Sequence, residues 1–174
     1  MDKVVFIDRD GVVNIEKDYL YKIEDFEFID GVFDALEYLQ SLGYKLVIIT
    51  NQSGIGRGYY SIEQYNTLTQ WINEQFIDRN IFISGIYNCP HTPDINCNCR
   101  KPRIGMINQA SKILDIDYNH SWIIGDKSSD IETGLNANIP NTVQVKTGHF
   151  FNENESKASF VINSIKDIAT IIKS

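Results

Sequence analysis

Two aspartates two residues apart, Asp8 and Asp10, follow the apolar run Val4-Val5-Phe6-Ile7 in the stretch FIDRDGVVN, residues 6–14. In an extended chain residues i and i+2 project to the same side. Both carboxylates are therefore expected to face one spot, with Arg9 turned away between them. Like charges that close repel, and a cation between them relieves the repulsion; a lone DxD is otherwise a polar turn. Two further polar stretches stand downstream, TNQSGIGRG (50–58) and GDKSSD (125–130), with Arg100-Lys101 between them. Asp8, Asp10 and Asp126 offer oxygens suited to a hard divalent cation such as Mg2+. Thr50 or Ser53 offers a hydroxyl to a phosphoryl oxygen, and Lys101 and Lys127 balance charge. Gly54, Gly56 and Gly58 let backbone approach an anion closely. A metal, a carboxylate nucleophile and fixed positive charge are the parts of a phosphoryl-transfer site.

A second cluster has different chemistry. NCPHTPDINCNCRKP (88–102) contains all three cysteines of the chain, in Cys89-x-His91 and Cys97-x-Cys99. Three thiolates and one imidazole complete a tetrahedral zinc set. With all four positions filled by protein, the expected role of Zn2+ is structural rather than catalytic. It would pin loop 88–103 and, through it, the adjacent Lys101. An odd cysteine count without an export leader argues against a disulfide framework; incidental buried cysteines are the alternative.

The elements that must position these groups alternate. Apolar β-rich runs at 3–7, 46–49, 83–87, 122–124, 142–145 and 160–162 read as strands. Helical spacing occupies 31–42, 61–79, 104–114, 128–137 and 164–172, with Asp30 expected as N-cap of the first helix and Gly43 as its stop. Ser61 with Gln64 forms a capping-box pattern. Short strands alternating with helices predict an α/β fold: a doubly wound, mostly parallel sheet with helices on both faces. Ligands bind beyond the carboxyl ends of such strands, which is where the three polar clusters fall.

The 174 residues suit a single domain, 1–174, with the zinc loop inside it. Hydrophobic residues at 43% supply a core, and the net charge of −7 argues against nucleic acid as the main partner, though not against a small anionic substrate. No apolar run reaches the roughly 18–20 residues that cross a bilayer, and no basic leader precedes the first strand. A cytoplasmic monomer without membrane partners is expected.

DRDG, then TN, then a lysine, then GDKSSD resembles the haloacid dehalogenase superfamily of aspartyl-phosphate phosphohydrolases, over nearly the whole chain. The resemblance implies its Rossmann-like fold, with Asp8 as nucleophile and Asp10 as proton donor and acceptor. Thr50 and Lys101 would steady the phosphoryl group; Asp8, the carbonyl of Asp10, and Asp126 would hold catalytic Mg2+. Neither the interval from Asp8 to Thr50 nor that from Thr50 to Lys101 leaves room for a separate cap domain. Segments 15–26, 53–60 and the cysteine loop would therefore wall the site. Within the superfamily the cysteine loop resembles small phosphatases acting on a sugar bisphosphate or on histidinol phosphate. TNQSGIGRG, CRKPRIGM (99–106), FEFIDGV (26–32) and YNCPH (87–91) are closer to the former. A departure is the short gap of residues 92–96 between the ligand pairs. By this resemblance Glu16, Lys17, Asp18, Tyr19, Thr50, Asn51, Gln52, Ser53, Arg100 and Lys127 contact substrate, with Arg57 as a further cation. A second phosphate needs a cation away from the metal, and Arg100 can grip it bidentately. Histidinol phosphate would instead favour an acidic wall, for which Glu16, Asp18, Glu24 and Asp25 are available. A non-catalytic, zinc-organised binding module is the alternative of another class. His120 and His149 receive no role, the latter lying near the expected rim; Trp71 and Trp122 read as core or helix-face residues.

Overall fold

The computed structural model describes residues 1–173. Six strands form one sheet in the order β3-β2-β1-β4-β5-β6: β1 Val4–Ile7, β2 Lys45–Asn51, β3 Ile83–Cys89, β4 Trp122–Gly125, β5 Asn141–Val145 and β6 Phe160–Ile162. Every pairing is parallel. The chain winds outward from β1 to β3, returns, and winds the other way from β4 to β6. The reversal falls between β1 and β4, a topological switch point that opens a crevice at their carboxyl ends.

Alternation along the strands divides the core. Val5, Ile7, Leu46 and Ile48 face one side; Val4, Phe6, Val47 and Ile49 face the other, all 0–1% exposed. The first face is covered by α1 (Val32–Ser41) and α3 (Ile62–Ile77), through Leu36, Leu39, Leu68, Ile72 and Phe76. The second is covered by α4 (Gly105–Ala110), through Met106, Ile107 and Ala110. Each of the larger of these side chains contributes about 1.5–3 kcal/mol by leaving water. Two shorter-range helices complete the site: α2 (Ser53–Gly56) after β2 and α5 (Ser128–Asn136) after β4.

The predicted alternation of elements is observed, with the sheet wholly rather than mostly parallel, and the capping box of Ser61 and Gln64 is formed. Three local expectations are corrected. Gly31, not Asp30, caps α1: its φ of +78° is left-handed backbone that glycine adopts freely, and it offers no side-chain bond. The Asp30 carboxylate stands in solvent, 3.6 Å from Lys166. The helix expected over 104–114 stops at Ala110; beyond it the chain tightens into three-residue turns, with the Lys112 N–H bonded to Gln109 O and the Ile113 N–H to Ala110 O. The closing segment is a 3-10 helix, Ile165–Thr170, whose buried Ile165 and Ile168 align at its three-residue period.

Candidate active site

Asp8 follows β1 directly, and its backbone N–H bonds to Ile124 O of β4 at 3.0 Å, so it sits on the switch point. Asp126 follows β4, and Asp130 lies in the first turn of α5, where its Oδ2 accepts from the Lys127 N–H at 3.0 Å. The carboxylate oxygens of Asp8, Asp126 and Asp130 lie within 4.8 Å of one another, and all three residues are buried. Asp130 is thus a third acid at the site, which the second aspartate of GDKSSD signalled without a role being drawn from it. Glycine makes the approach possible: a Cβ on Gly125 would lie 2.1 Å from Asp130 Cβ, and one on Gly148 would lie 2.1 Å from Asp126 Oδ2.

Lys101, 4% exposed, pairs through Nζ with Asp8 Oδ1 at 2.9 Å and Asp130 Oδ1 at 2.6 Å, and donates to Ile49 O at 3.0 Å. Burial alone would lower the lysine's pKa, but Asp130 and Asp8 more than offset this and hold it charged. The Asp8 carboxyl is pushed up, first by burial and then by Asp130, against the pull of Lys101. Three acids against one lysine leave an excess of negative charge. Moreover, Asp126 Oδ1 is buried without a hydrogen-bond partner, an arrangement that costs about 1–3 kcal/mol unless something engages the oxygen. The donor set therefore fits a hard divalent cation.

The strand ends at Ile7, so Asp10 is placed by a turn rather than by strand alternation. Its carboxylate lines the same cavity as Asp8. Arg9 does turn from the cavity, but it is not a bystander: 2% exposed, it grips Asp10 with Nε at 3.2 Å and Nη2 at 3.0 Å to Oδ1. Asn14 donates to Asp10 Oδ1 at 3.0 Å and Gln52 to Oδ2 at 3.0 Å. Burial pushes the Asp10 carboxyl up, yet the Arg9 charge and these bonds outweigh it, and the net shift is downward. Tyr60 donates to Gln52 Oε1 at 2.5 Å, which turns the Gln52 amide nitrogen onto both Asp10 and Thr50 Oγ1, the latter at 2.8 Å. Arg9 and Asn14 were not foreseen as site residues; Tyr60 falls in the segment 53–60 expected to wall the site and lines the cavity, though its bond to Gln52 was not foreseen.

The cavity above these groups holds about 260 Å3. It is lined by Glu16, Asp18, Tyr19, Asn51, Gln52, Ser53, Arg57, Arg100, Lys101 and Lys127, with the Arg57 guanidinium 6.0 Å from the Tyr19 ring centre. Asn51 also fixes the lysine's backbone, accepting from Lys101 N–H at 3.0 Å. Thr50, 1% exposed, does not line the cavity. Lys17 is not brought to the cavity: its ammonium bonds to Asp25 O at 2.8 Å and pairs with Glu27. Burial, then the Asp10 charge, push the Glu16 carboxyl up to about 7, against His149 and Lys127. Glu24 and Asp25 form a short 3-10 turn and do not line the cavity.

The other cluster starts at Cys89, the last residue of β3. Cys89 Sγ lies 3.5 Å from His91 Nδ1 and 3.7 Å from Cys97 Sγ, and His91 Nδ1 lies 3.2 Å from Cys99 Sγ. A tetrahedral zinc with Zn–S near 2.3 Å requires sulfur atoms about 3.7 Å apart, so the four side chains fit that ion. Arg100 donates to His91 O at 3.4 Å, and the Gly56 N–H bonds to Pro90 O at 2.9 Å. These contacts tie the loop to the wall of the first site.

Residues 98–168 match the HAD-hydrolase-like family model. The chain is 46% identical over 180 residues to the D-glycero-beta-D-manno-heptose-1,7-bisphosphate 7-phosphatase of Pasteurella multocida, covering 99% of this chain and 98% of the relative. It is 42% identical to the enzyme of the same name from Escherichia coli K12, covering 97% of this chain and 93% of that one. In three dimensions it resembles a D,D-heptose 1,7-bisphosphate phosphatase from B. bronchiseptica complexed with magnesium and phosphate, with a TM-score of 0.83 and 26% identity over 97% and 96% of the two chains. An all-parallel doubly wound sheet with acids at its switch point, joined to this likeness along the whole chain, makes the protein a member of the haloacid dehalogenase hydrolases, in the family of the D-glycero-beta-D-manno-heptose-1,7-bisphosphate 7-phosphatases.

Proposed function

We propose that this protein removes the 7-phosphate of D-glycero-β-D-manno-heptose 1,7-bisphosphate through an aspartyl-phosphate on Asp8, as a monomeric, cytoplasmic, single-domain enzyme. The observation that carries the reading is the buried trio Asp8, Asp126 and Asp130, with Lys101 bridging Asp8 and Asp130, at a polar cavity. Asp8 and Asp126, with the carbonyl of Asp10, would hold Mg2+, which when bound shields the phosphate's charge and orients it for in-line attack. A carboxylate oxygen of Asp8 bonds to phosphorus while the bond from phosphorus to the sugar oxygen breaks. Asp10 gives its proton to that departing oxygen. Arg9 holds Asp10 ionised in the free site; a dianionic phosphoryl group set against it opposes that field, so Asp10 takes up a proton from solvent as the substrate binds, and this is the proton it gives. Water then attacks phosphorus and leaves a proton on Asp10. The Asp8–phosphate bond breaks, releasing inorganic phosphate and restoring the carboxylate. Lys101 offsets the charge that gathers on the phosphoryl oxygens.

Arg100 and Arg57 line the cavity and would meet the second phosphate of the substrate. Cys89, His91, Cys97 and Cys99 would hold structural Zn2+. No described helix is long and apolar enough to cross a membrane, which accords with a substrate met in water.

Phosphate release should be measured from both anomers of the heptose bisphosphate and from histidinol phosphate, with and without Mg2+. The β anomer is expected to give the highest kcat/KM, only with Mg2+. A preference for histidinol phosphate, which the acids Glu16 and Asp18 on the wall would serve, overturns the substrate assignment.

A further inference from the structure

The segment after β5, Thr147-Gly148-His149, closes over the acids of β1 and β4. Thr147 Oγ1 donates to Gly11 O at 2.7 Å, tying the segment to the turn that carries Asp8 and Asp10. Gly148 lies flat against the Asp126 carboxylate, where a Cβ would sit 2.1 Å from Oδ2. His149 then contacts Asp126 Oδ2 twice, through its backbone N–H at 2.8 Å and its ring Nδ1 at 2.7 Å. A carboxylate only accepts, so Nδ1 carries the hydrogen in this contact. Both donors converge on one oxygen, and the other, Oδ1, is left buried and unpartnered. Asp126 itself is fully buried, and Gln144 Nε2 donates to its backbone carbonyl at 3.2 Å.

We infer that the His149 side chain is a positioning residue for the candidate cation site: it fixes the rotamer of Asp126 so that Oδ1 is the oxygen presented to the ion. Without the ring contact the carboxylate retains one donor, the backbone N–H, and can pivot about it. Partners of this kind, one bond removed from the ion, typically carry about 10–100-fold in metal affinity. His149 is half-buried and stands on a loop, so the fold does not depend on its ring.

The inference rests on the cation reading of the previous section, and the test separates the two. Mg2+ binding to the zinc-loaded protein is measured by calorimetry without substrate, for the wild type, His149→Ala, His149→Asn and Asp126→Asn. Asparagine places an amide N–H close to the position of Nδ1. His149→Ala is expected to weaken Mg2+ binding about tenfold, with kcat restored toward wild type at saturating Mg2+. His149→Asn is expected to recover most of the affinity, and Asp126→Asn to lose binding. Wild-type affinity in His149→Ala, or equal weakening in the alanine and asparagine variants, overturns the inference alone. No Mg2+ binding in the wild type overturns the cation reading and this inference with it.

Discussion

Asp8, Asp126 and Asp130 are held by three separate elements, two strand ends and a helix start, and are buried. Cys89, His91, Cys97 and Cys99 share one strand end and one loop that has no regular structure from Pro90 to Ile104. The sheet assembles the first set whether or not an ion is bound, since its apolar faces supply the energy. In the second set Cys89 is buried and Cys97 and Cys99 pack on the core edge, but the loop between them is held mainly by a few bonds, such as Arg103 Nη1 to Cys97 O and the Gly105 N–H to Asn98 O at 2.9 Å. One cluster is therefore expected to depend on its ion for chemistry, the other for shape.

The sharpest separation comes from Asp8→Asn. It should lower phosphate release by at least about 10³-fold while Tm holds or rises, because Lys101 keeps Asp130 and a crowded buried charge is removed. A substantial fall in Tm would show that Asp8 supports the fold after all. Zinc removal should do the reverse in part. Chelation or Cys97→Ser is expected to cost about 5–10 °C in Tm and about 10–100-fold in kcat/KM as Arg100 and Lys101 lose their support. Full turnover from a zinc-free protein would break the contrast, and Asn51, which binds the Lys101 backbone, would be the reason. Smaller still is Tyr60→Phe. Losing the bond that orients Gln52 should lower kcat about fivefold, the worth of about 1 kcal/mol, with KM little changed. An unaltered kcat would remove Tyr60 from the chain that holds Asp10.

The smallest effect concerns pH. Glu16 has its pKa raised to about 7 in the folded protein from an ordinary 4.5. The folded state thus holds that proton more tightly than the unfolded chain. Its contribution to stability is full below about 4.5 and is lost as pH rises through about 7. Tm of the wild type should therefore fall relative to Glu16→Gln between pH 5 and pH 8. Parallel curves for the two proteins would contradict the shift.

Residue type and spacing alone marked Asp8, Asp10, Lys101 and Asp126, the four zinc-suited ligands and the parallel α/β architecture. The reason is that apolar runs of strand length, each followed by acids or a lysine, admit few other foldings. What lay across the sheet was not legible. Asp130 entered the acid cluster because Gly125 lets its side chain close on the strand end, although GDKSSD already contained it. His149 stands 23 residues from Asp126 and meets it only because β5 lies beside β4. Arg9 was set aside by an alternation rule that ceases to apply where β1 ends at Ile7. Lys17, adjacent to residues that line the cavity, was drawn off by Glu27. One-dimensional pattern determined which groups could do chemistry and on which kind of element they stand. Only the tertiary structure decided their hydrogen-bond partners, because partners are chosen by distance across packed strands and loops, and that distance is set by the closure of the whole core.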